Sequence, residues 1–217
     1  MAVSYVQLVG PWSASDNATS GSFTPTAGDA IVVWSVSQGG SGNTITVSGS
    51  TGTYSAVSPP GTFVDSNFSE WNASENASAN AGAQTITVST NGTQPVVGIA
   101  AEYSGVTACS GSKNLVGNPP GAITGNAATV PSGGILVALC CDSSNLSGGI
   151  ITSPAGTSRS SGSTLNGYPF AITEYAGTGA SITPSFTSST GAADNFVIIQ
   201  FVLSPSAGPG ATIAWIT

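Results

Sequence analysis

No histidine occurs anywhere in the 217 residues, and only two cations, Lys113 and Arg159, stand against nine carboxylates, giving a formal charge of −7. Each scarcity removes a class of chemistry. Without imidazole there is no Ser-His-Asp or Cys-His constellation and no His-ligated metal centre. Two cations 46 positions apart cannot form the basic stripe that neutralises a phosphate backbone, so nucleic acid and anionic membrane surfaces are poor partners. The three cysteines, Cys109, Cys140 and Cys141, are an odd number with no C-x-x-C spacing, which signals neither a disulfide framework nor a zinc site. Buried thiols packing as small hydrophobes are the expectation.

Long apolar runs are also missing. No stretch approaches the ~18 apolar residues of a membrane span, and the start, Met1 to Gly10, lacks the basic and apolar regions of a signal peptide. The expectation is a mature soluble product that keeps its own start and is made in the host cytoplasm. Charge is sparse at 5%, yet 40% of residues are hydrophobic and mean hydropathy is +0.24, too apolar for a disordered Gly/Ser-rich linker.

What is present is β pattern. No segment of ten or more residues holds a helical period, whereas β-branched runs bounded by Gly, Pro, Asn and Ser recur throughout. Thr44–Ser48 and Thr85–Ser89 alternate strictly between aliphatic and hydroxyl side chains, which predicts strands with one face on a core. Ala30–Trp34, Ile135–Leu139 and Phe196–Leu203 are nearly continuous apolar runs, which predicts central strands covered on both faces. Further strands are expected near Tyr5–Val9, Gly21–Thr24, Thr53–Val57, Phe68–Ala73, Ala127–Val130, Gly149–Thr152, Tyr168–Tyr175 and Ile182–Phe186.

The two halves of the chain align. Gly28-Asp29-Ala30-Ile31-Val32-Val33-Trp34 matches Gly133-Gly134-Ile135-Leu136-Val137-Ala138-Leu139 at an offset of 105, Gly82-Ala83 matches Gly179-Ala180, and Val96–Tyr103 matches Phe196–Leu203 at an offset of 100. Ordered matches of this kind predict an all-β protein of two tandem, related antiparallel β-sandwich halves, jelly-roll or Ig-like. The expected division is a first sandwich over 1–108, a connector over 109–125, a second sandwich over 126–204, and a Pro/Gly break with a C-terminal strand over 205–217.

Candidate chemistry is thin. Ser110-Gly-Ser-Lys113 fits S-x-x-K only formally, since that motif needs a helix. Glu70, Glu75, Glu102 and Glu174 are the glutamates available for a glycosidase-type pair, but no spacing selects two of them. Glu102 is expected at a strand end, facing solvent or a backbone donor. Asp65-Ser-Asn67, Asp142-Ser-Ser-Asn145 and Asp194-Asn195 read as turns before calcium sites, and the six Asn-x-Ser/Thr sequons reflect Asn, Ser and Thr abundance. The sequence thus predicts a chain that is not an enzyme, with no catalytic residue, cofactor or metal. Tyr54 and Trp71 are candidates for stacking on a sugar, while Trp34, flanked by valines, belongs in a core.

Glu102-Tyr-Ser-Gly-Val106, following a Gly-Asp-x-Ile-Val-Val strand and an Ala-Gly-Ala-Gln-Thr-Ile-Thr-Val strand, resembles a pattern of β-rich structural proteins of tailed-phage virions and of some bacterial surface proteins. The resemblance covers chiefly residues 20–106 and carries no catalytic residues across. It implies a capsid decoration or cement protein, or a head- or tail-fibre component, on the outer surface of a virion. Its partners would be other virion proteins, the major capsid protein or fibre and tail proteins, together with copies of itself. Tyr5, Val6 and Leu8 at one end and Ile213, Trp215 and Ile216 at the other are the interface candidates, the latter within a strand expected to pair at a sheet edge. The competing reading is a carbohydrate-binding or adhesion module of a phage fibre or bacterial surface, using Tyr54 and Trp71.

Overall fold

The computed structural model describes residues 1–38, 44–56, 68–76, 79–117, 122–142, 150–165, 168–189 and 195–205. Among them there is no helix, and the chain is all-β, as the periodicity requires. The strands are β1 (Ser4–Ala14), β2 (Asn17–Thr19), β3 (Ala30–Gln38), β4 (Ile45–Gly49), β5 (Ser55–Ala56), β6 (Phe68–Asn76), β7 (Ile86–Thr90), β8 (Val96–Ser104) and β9 (Val106–Gly117). They continue as β10 (Ile123–Thr124), β11 (Ala128–Thr129), β12 (Ile135–Asp142), β13 (Ile151–Thr152), β14 (Thr157–Leu165), β15 (Tyr168–Ala176), β16 (Ser181–Ile182), β17 (Ser185–Ser188) and β18 (Asn195–Pro205).

Two five-stranded sheets dominate, in the orders β1-β8-β3-β6-β5 and β9-β18-β12-β15-β14. Two three-stranded sheets accompany them, β2-β7-β4 and β10-β17-β13, with a two-stranded β11-β16 beside the second. All pairings are antiparallel, and the orders of the large and small sheets from residues 4–104 recur from residues 106–205. Register carries the correspondence to single residues. Ala30 lies opposite Tyr103 as Ile135 lies opposite Leu203, so the two separately matched sequence segments are partners in the same ladder.

Three apolar clusters separate the sheets into four layers. The inner faces of the large sheets share one, with Val32, Trp34, Val36, Ile99 and Tyr103 from the first and Val137, Leu139, Phe170, Ile199 and Phe201 from the second. Ile31, Val33, Val96 and Ala100 pack outward on Ile86 and Val88 of the first small sheet, and Leu136, Ala138, Cys140 and Ile198 pack outward on Ile123, Ile151 and Phe186 of the second. This is why β3, β12 and β18 read as unbroken apolar runs: consecutive side chains enter different cores. The stricter alternation of β4 and β7 suits strands with only one such face, and Ile86 and Val88 are fully buried on it.

A tryptophan and a covalent corner help bind the large sheets beyond apolar contact. Trp34 Nε1 donates to the carbonyl of Ile199 at 3.2 Å, and its ring meets Phe201 edge-on with centroids 5.4 Å apart. At one corner the sheets are joined by a single residue between β8 and β9, Gly105, whose φ of +73° is a conformation L side chains rarely adopt; an added Cβ would also meet the Ala2 carbonyl at 2.7 Å.

The structure differs from the sequence expectation in identifiable places. Residues 109–117, expected as connector, belong to β9, which pairs along β18 through ten consecutive partners from Ala108 to Gly117. β14 was not anticipated either, because its Thr-Ser-Arg-Ser-Ser-Gly-Ser-Thr run has no apolar alternation; it is a sheet edge held by its pairing with β15. Gly21–Thr24 forms no strand, contributing only the bridge between Phe23 and Gln84. The expected C-terminal strand, with Ile213, Trp215 and Ile216, lies outside the described residues.

Candidate functional site

Four of the chain's eleven charged side chains, Asp29, Glu102, Arg159 and Glu174, lie in two clusters on opposite faces of β8. Glu102 and Tyr103 are adjacent on that strand, so their side chains leave the sheet in opposite directions.

Tyr103 points into the shared core, fully buried. Its hydroxyl donates to Glu174 Oε1 at 2.7 Å, across from the first large sheet to β15 of the second. The other carboxylate oxygen of Glu174 takes an ion pair from Arg159 Nη2 at 2.6 Å. Arg159 in turn lies over the Tyr5 ring, 4.2 Å from its centroid, and Tyr5 meets Tyr103 edge-on at 5.9 Å. Four side chains from β1, β8, β14 and β15 thus close a ring across the seam. Arg159 is reached through the β14–β15 pairing, in which Ser158 opposes Thr173 one residue from each partner.

The electrostatics follow from burial. Desolvation, reinforced by the Glu174 carboxylate, pushes the Tyr103 phenol well above its usual range, so it donates and does not act as a base. The hydrogen bond to Glu174 holds Arg159 even more firmly protonated than usual. Tyr5 is raised by burial and by Glu174, with Arg159 opposing. Among the described residues Arg159 Nε and Thr173 Oγ1 are buried without a hydrogen-bond partner, so the ring is not perfectly satisfied.

Glu102 occupies the other face. It lies in β8 between β1 and β3, 1% exposed, so the solvent-facing alternative does not hold. Its Oε1 accepts the Thr26 amide at 2.8 Å, Gln7 Nε2 donates to Oε2, and Asp29 hydrogen-bonds it side chain to side chain. Burial, followed by this contact with Glu102, raises the Asp29 carboxyl above the ordinary aspartate range. Glu102 and Glu174 cannot act together, because a sheet lies between them.

Elsewhere the sequence-derived candidates disperse. Tyr5 belongs to the seam ring and Leu8 packs partly buried on the shared core, both on one face because a register shift between Tyr5 and Gln7 rephases β1. Val6 remains exposed. Tyr54 is half-buried and packs on the core beneath the first small sheet, its ring against Gly49. Trp71 lies in β6 opposite Val36. Ser110 and Lys113 fall on a strand, where positions three apart face opposite sides of the sheet. Cys140 and Cys141 are fully buried; desolvation raises both thiols, reinforced at Cys140 by Asp142 and at Cys141 by Cys140 and then Asp142, which keeps them weakly nucleophilic. Among the described residues no group of three or more Cys, Asp or Glu side chains could hold a metal ion.

The seam ring was missed by sequence reasoning, since its members lie up to 169 positions apart; the one usable signal was the lone arginine, which in so weakly charged a chain invites the question of its partner. Comparison with protein-family models, with curated proteins and with solved structures finds no match for this chain.

Proposed function

We propose that the chain is a non-enzymatic structural subunit of a tailed-phage virion, a capsid decoration or cement protein or a head- or tail-fibre component, bound on the outer surface to capsid, fibre or tail proteins. The observation that carries the reading is what the buried charge is used for. Glu102 ties β1 and the Thr26 backbone to β8, and the Glu174 ring ties one large sheet to the other. Neither cluster pairs a nucleophile with a base. Such side chains hold strands, and strands stacked in four layers with three apolar cores make a body suited to bearing load at a joint between subunits.

The low charge density of the chain, 5% of residues, fits this role. Cement proteins gain strength from many modest contacts multiplied by symmetry, without the salt-sensitive attraction of a charged interface. The carbohydrate-binding alternative is weakened by the inward packing of Tyr54, and would rest on Trp71 alone. Co-sedimentation of the purified chain with undecorated capsids tests the proposal: saturable binding that persists in high salt is expected, and failure to pellet at any salt would overturn it. Glycan-array binding lost on Trp71→Ala would support the alternative instead.

A further inference from the structure

We infer that Asn91 is a self-modifying site, at which the backbone nitrogen of Gly92 displaces the side-chain amide as ammonia and water then leaves aspartate or isoaspartate. The inference goes beyond the proposed structural role and does not depend on it.

Asn91-Gly92 follows Thr90, the last residue of β7, and opens the short turn that leads to β8. Asparagine before glycine favours such turns. Among the described residues no other asparagine precedes a glycine; the rest precede alanine, leucine or phenylalanine. The difference is steric, because a Cβ on the following residue crowds its nitrogen as it approaches the asparagine Cγ, and glycine has none.

The turn supplies further parts of the reaction. Oδ1 of Asn91 accepts the Thr44 amide at 2.8 Å, and the Asn91 amide returns a bond to the Thr44 carbonyl at 3.3 Å. This reciprocal pair extends the β4–β7 ladder one step beyond Ile45 and Thr90. A donor on Oδ1 draws charge from Cγ and stands where negative charge gathers when that carbon is attacked, as an oxyanion-hole N–H does. The Gly92 N–H donates to the Thr90 hydroxyl at 3.4 Å, a weak bond that is easily given up. Asn91 is exposed, so hydroxide and water reach it.

The step needs no reactant beyond water and hydroxide. Hydroxide takes the Gly92 amide proton, the nitrogen's electron pair forms a bond to Asn91 Cγ, and the carbonyl pair moves onto Oδ1. That pair returns as the Cγ–Nδ2 bond breaks, and ammonia leaves with a proton taken from water. The product is a five-membered imide, a ring closure favoured by proximity. Water opens it at either carbonyl carbon: breaking the new bond gives aspartate, and breaking the original peptide bond gives isoaspartate, with the chain rerouted through Cγ. In sum an amide and water become an acid and ammonia, and the chain gains one negative charge beyond its formal −7.

The test ages the purified full-length chain in warm, mildly alkaline buffer made with heavy-oxygen water, and maps the label by peptide mass spectrometry. Label should enter at residue 91 while the chain is folded. A new acidic band should appear on isoelectric focusing, at the position of Asn91→Asp. Gly92→Ala should slow labelling several-fold, and Asn91→Gln, whose longer side chain would have to close a six-membered ring, should abolish it at that position. Absence of label at residue 91 in the folded chain, label there only after unfolding in urea, label confined to the chain's other Asn-Gly pair, Asn166-Gly167, or an undiminished rate in Gly92→Ala would each overturn the inference.

Discussion

Glu102 and Glu174 are both almost completely buried, one on either side of the same sheet, and they are neutralised by different means. Glu174 receives one of the chain's two cations and a phenol from the opposite sheet. Glu102 receives an amide side chain, a backbone N–H and a second carboxyl. The first arrangement joins two sheets that could otherwise separate; the second joins strands already side by side. The neutral Tyr103 hydroxyl and a cation–π contact cross the seam, while the ion pair that compensates the carboxylate lies between the neighbouring strands β14 and β15. At Glu102 neutral donors suffice, even with a carboxyl added that works against them.

The comparison can be broken at Arg159. Arg159→Leu leaves the Glu174 carboxylate buried with only the Tyr103 hydroxyl, a change of about 3–5 kcal/mol for a fully buried pair; discounted for the 28% exposure of the arginine, about 2–3 kcal/mol is expected. The denaturant midpoint measures it, and adding Glu174→Gln should recover part of the loss by removing the stranded charge. Tyr103→Phe removes the hydroxyl while keeping the ring in the core, and about 1.5–2 kcal/mol is expected from a lost hydrogen bond to a charged acceptor. A loss much smaller than this would mean that Arg159 alone satisfies Glu174.

At Glu102 the sign reverses. Because Asp29 is raised above its unfolded value, the folded state binds that proton more tightly than the unfolded state. Its contribution is therefore greatest below the ordinary aspartate pKa and is lost as pH rises through the folded pKa. Asp29→Asn should leave thermal stability nearly unchanged in acid and raise it at neutral pH, with the gain growing across that interval; a variant less stable at neutral pH would show that the second carboxyl is a net support. The smallest effect is expected at the exposed hydroxyl pair Thr19–Thr87, 2.9 Å apart, where Thr19→Ala should change stability by no more than about 0.5 kcal/mol in the same melts.

The fold was more legible in the sequence than the site. Val32, Trp34, Val137, Ile199 and their neighbours announce strands buried on both faces, since no half-exposed strand tolerates such runs. β9 and β14 were illegible for the opposite reason: their strand character comes from the backbone of the strand beside them, not from their own Ser, Gly and Thr side chains. The seam ring combines one residue from each of four strands, and no local pattern encodes which side chains a stack of sheets will oppose. Register carries a trace of it. Glu75 lies opposite Val32 as Glu174 lies opposite Val137, so the second large sheet has a glutamate where the first has one too.

Cys140 belongs to the core beneath the second small sheet, and its neighbour Cys141 to the core between the large sheets. β12 is in that sense a partition wall, and β3 is its counterpart. Insertion or deletion of one residue within either strand would send every following side chain to the wrong side, exchanging the contents of two cores at once. Drift in these strands is thereby confined to substitution, while changes of length must collect in the loops at their ends. The drift from an offset of 105 at β12 to 100 at β18 is consistent with this: the difference in length between the two segments accumulates outside the walls.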